Sequence, residues 1–184
     1  ASNTLSVTSF TISDDTPGDD DTTTTSSSSG QFVAVGDNGK IVTSTSTSSN
    51  LWGVTYANSK FVSVGTDGTI LNSSDNGTTW IPSNSGTINH LRDVIYANSK
   101  FVSVGASGTI VTSDNGTTWT SRTSETSYNL KGVIYGNSTF VTVGNSGTIL
   151  TSSDIHSWTK RTSGISEHLS FFGVTYGNSI FVAV

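Results

Sequence analysis

Several absences limit what this chain can be. The sequence contains no cysteine and no methionine, and only 11% of its residues are charged. The lack of cysteine excludes disulfides, thiolate metal sites and cysteine nucleophiles. No apolar run approaches the roughly 18 residues that a membrane-spanning helix requires. We therefore expect no membrane span, no metal site and no cofactor.

The net charge of −5 is concentrated near the N-terminus, where five aspartates lie in one short stretch: Asp14, Asp15, Asp19, Asp20 and Asp21. The rest of the chain has as many basic as acidic residues. Such a neutral body is a poor electrostatic match for nucleic acid, which proteins bind mainly through basic patches. The chain starts with ASNT, which is typical of a mature N-terminus after removal of a signal peptide. We therefore expect a secreted or cell-surface protein.

A unit of about 40 residues repeats along the chain. It starts as LWGVTYANSKFVSVG at residue 51, as LRDVIYANSKFVSVG at 91 and as LKGVIYGNSTFVTVG at 130, and a shorter copy, FFGVTYGNSIFVAV, starts at 171. Sequence repeats of about this length are typical of propeller blades and solenoid turns.

Each unit alternates apolar and polar residues with period two and is rich in β-branched and aromatic residues. The Asn-Ser pairs favour tight hairpin turns, since asparagine tolerates positive φ. The FVSVG segments that follow are almost wholly apolar, as in strands buried on both faces. A glycine-bounded turn, a third strand, an Asp-containing turn and a fourth strand complete the unit. The pattern predicts an all-β fold, a β-propeller of four-stranded antiparallel blades with incomplete terminal blades, over residues 31–184.

Two motifs resemble known repeats. The S-x-D-x-G-x-T-W stretch resembles the Asp-box (BNR) repeat of sialidase-like propellers. The longer Y-x-N-S-x-F-V-x-V-G-x-x-G-T-I pattern is similar to repeats of photosystem II assembly-factor-like propellers and of bacterial surface proteins. The resemblance implies that the boxes lie at the outer turn between strands three and four, away from the ligand face.

The boxes are therefore interpreted as structural corners. Each aspartate is expected to accept N–H groups of its own turn, each glycine to supply a left-handed residue, and each tryptophan to pack between blades. The third box has His156 where the others have Gly-Thr, which predicts a looser turn. The corner residues are Asp75, Gly77, Trp80, Asp114, Gly116, Trp119, Asp154 and Trp158.

Enzymatic activity is not expected. If the chain were a sialidase, the resemblance would imply three converging arginines, a Tyr–Glu nucleophile pair and an aspartic acid that acts as the general acid. Arg122 and Arg161 each fall three residues after a box tryptophan, on the outer strand, whereas Arg92 starts an inner strand. The two glutamates, Glu125 and Glu167, lie in loops between blades.

The loops at 83–90, 121–129 and 161–168 differ between copies while the strands do not. Variable loops on a constant scaffold often carry binding, and the alternative is that they are ordinary solvated loops. His90 and His168 are placed at the same repeat position, each before a leucine. The candidate binding residues are Asn89, His90, Tyr128, Asn129 and His168.

Glycosylation is the modification that the sequence suggests. Sequons occur at Asn72, Asn76, Asn115 and Asn137, and a Thr/Ser run is a candidate for O-linked sugar at Thr22, Thr23, Thr24 and Thr25.

The N-terminal region does not match the repeats. Residues 1–12 include LSVTSFTI, which reads as a lone β-strand, and residues 13–30 form an acidic, Ser/Thr-rich linker. Such a tether would allow the strand to complete its own propeller or a neighbour's. Two functions follow as hypotheses: an extracellular structural or adhesive protein that self-associates by strand donation into a filament, or a monomeric propeller that binds a glycan or a protein.

Overall fold

The computed structural model describes residues 50–166 and 168–184, which belong to one compact unit, Gln31–Val184. The predicted N-terminal strand, the acidic linker with Thr22–Thr25, the partial repeat at 31–49 and Glu167 lie outside the described residues.

Within the described residues, the strands form three four-stranded antiparallel sheets and one two-stranded sheet, each ordered as in the sequence. The first sheet contains β1 (Leu51–Ala57), β2 (Lys60–Gly65), β3 (Ile70–Ser73) and β4 (Ile81–Ser83). The second contains β5 (Leu91–Ala97), β6 (Lys100–Gly105), β7 (Ile110–Ser113) and β8 (Thr120–Arg122). The third contains β9 (Leu130–Gly136), β10 (Thr139–Gly144), β11 (Ile149–Ser152) and β12 (Thr159–Arg161). The last pairs β13 (Val174–Gly177) with β14 (Ile180–Ala183).

The local sequence explains the first hairpin of each sheet. Asn58 and Ser59 both have positive φ, at 51° and 55°, and the same pair recurs at each of the other three hairpins. Two successive residues with positive φ define the type I′ turn, whose twist matches that of paired antiparallel strands. In the three four-stranded sheets, the strand that follows is buried almost throughout, as its apolar composition predicts.

The core lies between sheets. One apolar cluster joins Val62 and Val64 of β2 to Leu91 and Phe101 of the second sheet, and Trp119 is part of it. The next cluster joins β6 to the third sheet in the same way and includes Trp158. The first strands of neighbouring sheets, β1, β5, β9 and β13, therefore lie side by side on the inner edge.

Each four-stranded sheet carries a bulge near the start of its first strand. The pairing shifts between Leu51 and Gly53, between Leu91 and Asp93, and opposite Val143 and Gly144. The extra residue is thus Trp52 in β1, Arg92 in β5 and Lys131 in β9. A bulge reorients the side chain of its extra residue relative to the regular strand.

Among the described residues, the structure has no helix long and apolar enough to cross a membrane.

Candidate functional site

The three bulged residues line one cavity. It has a volume of about 390 Å³, and its walls also include residues of the connections and of the fourth repeat. We call it the inner-strand site, and its lining residues are Trp52, Arg92, Asn129, Lys131, Asn145 and Phe172. Phe172 is the residue of the fourth repeat that corresponds to Trp52, Arg92 and Lys131. Four equivalent positions of four successive repeats therefore converge at this site.

The four converging side chains form two cation–aromatic pairs. The Arg92 guanidinium carbon lies 5.0 Å from the centroid of the Trp52 ring, and Lys131 Nζ lies 3.5 Å from the centroid of the Phe172 ring. A cation over an aromatic face is attracted by the electron-rich centre of the ring. The rings hold the cations in place without neutralising them.

The inner-strand site is electropositive. In the described part of the chain, neither Arg92 nor Lys131 is in an ion pair, whereas Lys100 pairs with Asp114. Partial burial and then the charge of Arg92 lower the pKa of Lys131. Such mutual repulsion is relieved when an anion binds between two cations.

Asp93, the acid next to Arg92 in sequence, is engaged elsewhere. Its Oδ1 accepts the N–H of Val94 at 2.8 Å, and its Oδ2 accepts the N–H of Val133, in the next sheet, at 2.9 Å. Burial raises the pKa of Asp93 against the lowering effect of these two bonds. Asp93 therefore links the second and third sheets rather than balancing the charge of the site.

The site also contains buried polar atoms that form no hydrogen bond with any described residue. Arg92 Nε and Asn145 Oδ1 are both buried and lack a hydrogen-bond partner. A buried polar atom without a partner costs free energy that a ligand recovers when it supplies one. The site thus offers one unused donor and one unused acceptor close to its two positive charges.

Two of the five predicted loop residues are at or beside this site. Asn129 lines it, and its Oδ1 accepts the N–H of Ser107 at 2.9 Å. His90 contacts Trp52 edge-on, with ring centroids 5.5 Å apart, and its Nδ1 accepts the N–H of Asp67. His90 and Asn129 thus occupy one repeat position and fix the same turn in successive sheets.

Asn89, Tyr128 and His168 do not line the site. The Asn89 amide donates to Thr109 Oγ1, and the backbone N–H of Tyr128 donates to Thr126 Oγ1. His168 is exposed, and the predicted equivalence with His90 is wrong. The residue equivalent to Leu91 is Phe171, two residues beyond Leu169, because Phe171 starts the fourth copy of the L-x-G/D-V pattern.

The box corners lie between the third and fourth strands of each four-stranded sheet. In the first, the carboxylate of Asp75 accepts the N–H and hydroxyl of Thr79, and Ser73 donates its hydroxyl to Asp75. Trp80 Nε1 donates to the Gly77 carbonyl at 2.9 Å. Trp119 and Trp158 make the equivalent bond to Gly116 and Ile155. These contacts are internal to the corner.

The prediction is wrong for Asp114. In the second corner the acceptor is Asn115, whose Oδ1 accepts the N–H groups of Thr117 and Thr118, both at 2.9 Å. Asp114 instead pairs with Lys100 Nζ. The reason is spacing, because the acceptor lies two residues after the last serine of the third strand, which here is Ser113.

The third corner keeps its hydrogen bonds, contrary to the predicted loosening. Asp154 accepts the N–H groups of His156 and Ser157 at 2.9 and 2.8 Å. Ile155, rather than His156, replaces the left-handed glycine, with a φ of 63°, and its side chain is buried in the core between sheets.

One predicted glycosylation site is contradicted. Asn72 is buried, and its amide donates to the Ile81 carbonyl at 2.9 Å and to Ser83 Oγ at 2.8 Å. It is therefore inaccessible in the folded chain. Asn76, Asn115 and Asn137 are exposed, and their glycosylation stays a prediction.

The other two arginines serve the outer strands. Arg122 Nε and Arg161 Nε donate to the hydroxyls of Thr112 and Thr151 on the neighbouring third strands. Neither lines the inner-strand site. The described residues contain no cluster of His, Asp and Glu suited to a metal ion.

Comparisons with known proteins agree on the architecture. No family model matches the chain, and no curated protein matches it. Among solved structures, the computationally designed Ika4 protein is similar, with 16% identity over 73% of this chain and 84% of that chain and a TM-score of 0.60. YCF48 from Cyanidioschyzon merolae is similar with 19% identity over 74% of this chain and 50% of that chain and a TM-score of 0.60. The fold is a β-propeller.

A further structure of the same kind is YCF48 bound to D1 peptide, with 14% identity over 76% of this chain, 52% of that chain and a TM-score of 0.57. The chain spans about half the length of the YCF48 chains it matches. At these identities the likeness extends to the fold alone.

Sequence reasoning missed Trp52, Arg92, Lys131, Phe172 and Asn145. A signal for four of them was present, because the second residue of the L-W-G-V, L-R-D-V, L-K-G-V and F-F-G-V segments varies in size and charge while the first and last stay apolar. The bulge that directs this residue to the cavity cannot be read from the alternation of apolar and polar residues.

Proposed function

We propose that this protein is a non-enzymatic binding propeller whose ligand site is the inner-strand site. The observation that carries the proposal is the convergence of the bulged residues Trp52, Arg92 and Lys131 on one cavity. Cavities lined by aromatic side chains with a few placed polar groups are the usual form of a ligand site. The solved structure of YCF48 bound to D1 peptide supports the idea that this fold can hold a partner.

The absence of enzymatic activity is part of the proposal. It is supported by the placement of Arg122 and Arg161 on outer strands, where each is bonded to a threonine. An arginine triad around one ligand carboxylate would need all three guanidinium groups at one site. We expect no turnover of sialosides or other glycosides.

The test is a binding screen with two sets of variants. The chain is screened on glycan and peptide arrays beside the triple variant Trp52→Ala, Arg92→Ala, Lys131→Ala. The matched control exchanges the parts of the variable loops that do not contact the site, residues 84–88, 123–127 and 162–166, for Gly/Ser segments of equal length. We expect the triple variant to lose the hits of the unmodified chain. Loss with the exchanged loops alone would move the binding site to those loops and contradict the proposal.

A secreted or cell-surface location, with structural or adhesive self-association through strand donation from residues 1–12, stays a second proposal. It is supported by the composition of the N-terminal segment, which lies outside the described residues. Deletion of residues 1–12 followed by negative-stain imaging tests it. Filaments that persist without the segment would exclude strand donation.

A further inference from the structure

We infer that the inner-strand site binds an acidic sugar, with the sugar carboxylate between Arg92 and Lys131 and the sugar ring against Trp52. This inference rests on the proposed function and specifies the class of ligand. It is carried by three features of one cavity: an unbalanced pair of cations, aromatic side chains that are partly exposed, and an unused amide acceptor.

The cation pair favours the binding of an anion. Arg92 and Lys131 interact repulsively, and neither is in an ion pair within the described residues. The side chain of Asp93 is held by the N–H groups of Val94 and Val133. A guanidinium is a planar fork of donors that matches a carboxylate, and an ammonium beside it adds a second charge-assisted bond. The unpaired Nε of Arg92 supplies a donor for this interaction.

The aromatic faces require more than a simple anion. Trp52 is 38% exposed and Phe172 is 70% exposed, whereas the corner residues Trp80, Trp119 and Trp158 are each exposed by no more than 9%. The C–H face of a sugar ring is apolar and weakly positive, and it suits the negative face of an indole. An aspartate or glutamate side chain supplies the carboxylate but no flat apolar face of this size.

The amide acceptor distinguishes a sugar from other oxyanions. Asn145 Oδ1 is buried without a partner and needs a donor. Sugar hydroxyls donate hydrogen bonds, whereas a carboxylate, sulfate or fully ionised phosphate only accepts them. The volume of about 390 Å³ is at the small end of ligand sites and suits one or two sugar residues.

Trp52 provides a direct reporter for the test. The full chain, labelled with ¹⁵N, is titrated with D-glucuronate while the four indole N–H signals are followed by NMR; Trp80, Trp119 and Trp158 are internal controls. D-glucose is the neutral matched probe, and the tripeptide Gly-Glu-Gly is the peptide carboxylate. The variants are Arg92→Gln and Lys131→Gln, with Lys160→Gln on the outer strand as the charge-matched control. Thermal unfolding confirms that each variant is folded.

We expect glucuronate to shift the Trp52 signal selectively. It should bind at least about tenfold more tightly than glucose, which lacks the charge-assisted bonds of the carboxylate. It should also bind more tightly than the peptide, which lacks a sugar ring to pack against Trp52. Arg92→Gln and Lys131→Gln should each weaken binding about tenfold, and Lys160→Gln should not. A Trp52 shift with the peptide but not with glucuronate would overturn the inference and leave the proposed function standing. If none of the probes shifts Trp52 and the array hits survive the triple variant, both fail.

Discussion

At the scale of single residues, the three box corners use one acceptor position with different side chains. Asp75 and Asp154 are carboxylates, and Asn115 is an amide. The hydroxyl and N–H of Thr79, followed by the hydroxyl of Ser73, lower the pKa of Asp75 from 3.8 to about 2. A carboxylate with a lowered pKa stabilises the fold above its unfolded pKa, and this stabilisation is lost as the pH falls through the folded pKa.

Asp75→Asn should lower the free energy of unfolding at pH 7, because the ionised acceptor is a stronger partner for Thr79 than an amide. The difference from the unmodified chain should shrink as the pH falls from 4 to 2, where the carboxylate becomes protonated. Urea denaturation of both proteins across this range measures it.

Asn115→Asp is the matched reverse change, since it places a carboxylate at the equivalent position of the second corner. It should raise stability above pH 4 and have no benefit near pH 2. If instead Asp114→Asn lowered the free energy of unfolding with the same pH dependence as Asp75→Asn, Asp114 rather than Asn115 would be the acceptor of the second corner.

At the scale of elements, the strands and hairpins could be predicted because period-two alternation and Asn-Ser pairs act locally. The identity of the corner acceptor could not. The first corner has one more residue between Ser73 and Trp80 than the second has between Ser113 and Trp119. Matching the copies by their aspartates therefore misplaces the second acceptor. In the structure, the equivalent acceptors lie at the same distance from the end of the third strand, and the sheet register fixes where that strand ends.

Substitutions of two turn glycines would show how closely the turn after the second strand and the connection after the fourth strand approach each other. Gly68 and Gly86 have nearly the same positive φ, 69° and 73°. A Cβ at Gly68 would lie 2.0 Å from the Thr87 carbonyl oxygen, whereas a Cβ at Gly86 would have only Ser121 Oγ nearby, at 3.9 Å. Gly86→Ala should cost about 1–2 kcal/mol from the left-handed conformation alone. Gly68→Ala should cost clearly more, since backbone must also move.

Thermal and urea unfolding of the two variants give this comparison directly. Gly164→Ala is a second control, with a φ of 72° and no atom within 4 Å of the added Cβ. Equal losses for Gly68→Ala and Gly86→Ala would mean that the connection after β4 does not pack against the turn at Gly68.

At the scale of the whole molecule, the site combines residues that are about 40 positions apart in the sequence. The repeat period predicts that Trp52, Arg92, Lys131 and Phe172 are equivalent, and the propeller fold brings equivalent positions together. Loop variability predicted Asn129 and His90, which lie at or beside the site, but also Tyr128 and His168, which do not line it. What the sequence does not reveal is that a bulge directs the second residue of each inner strand into the cavity.

The same strands also hold the blades together, and Asp93 makes one junction unlike the others. Gly53, Gly132 and Gly173 occupy its position in the other repeats, so at this position of the described repeats only Asp93 offers a side-chain acceptor to the next blade. Asp93→Ala leaves the Val94 and Val133 N–H groups without this acceptor, which should cost about 1–3 kcal/mol. Hydrogen exchange at Val133 should speed up accordingly.

The pH dependence of that loss gives the sharpest test of the junction. Because burial raises the pKa of Asp93 in the folded state, its stabilisation is fully present below the unfolded pKa and is lost as the pH rises through the folded pKa. The difference in free energy of unfolding between the unmodified chain and Asp93→Ala should therefore be larger at pH 4 than at pH 7. Asp114→Ala should show the opposite trend, because its hydrogen bond and ion pair with Lys100 lower the pKa of Asp114. Parallel trends for the two variants would mean that Asp93 is solvated in the folded chain and does not join the blades.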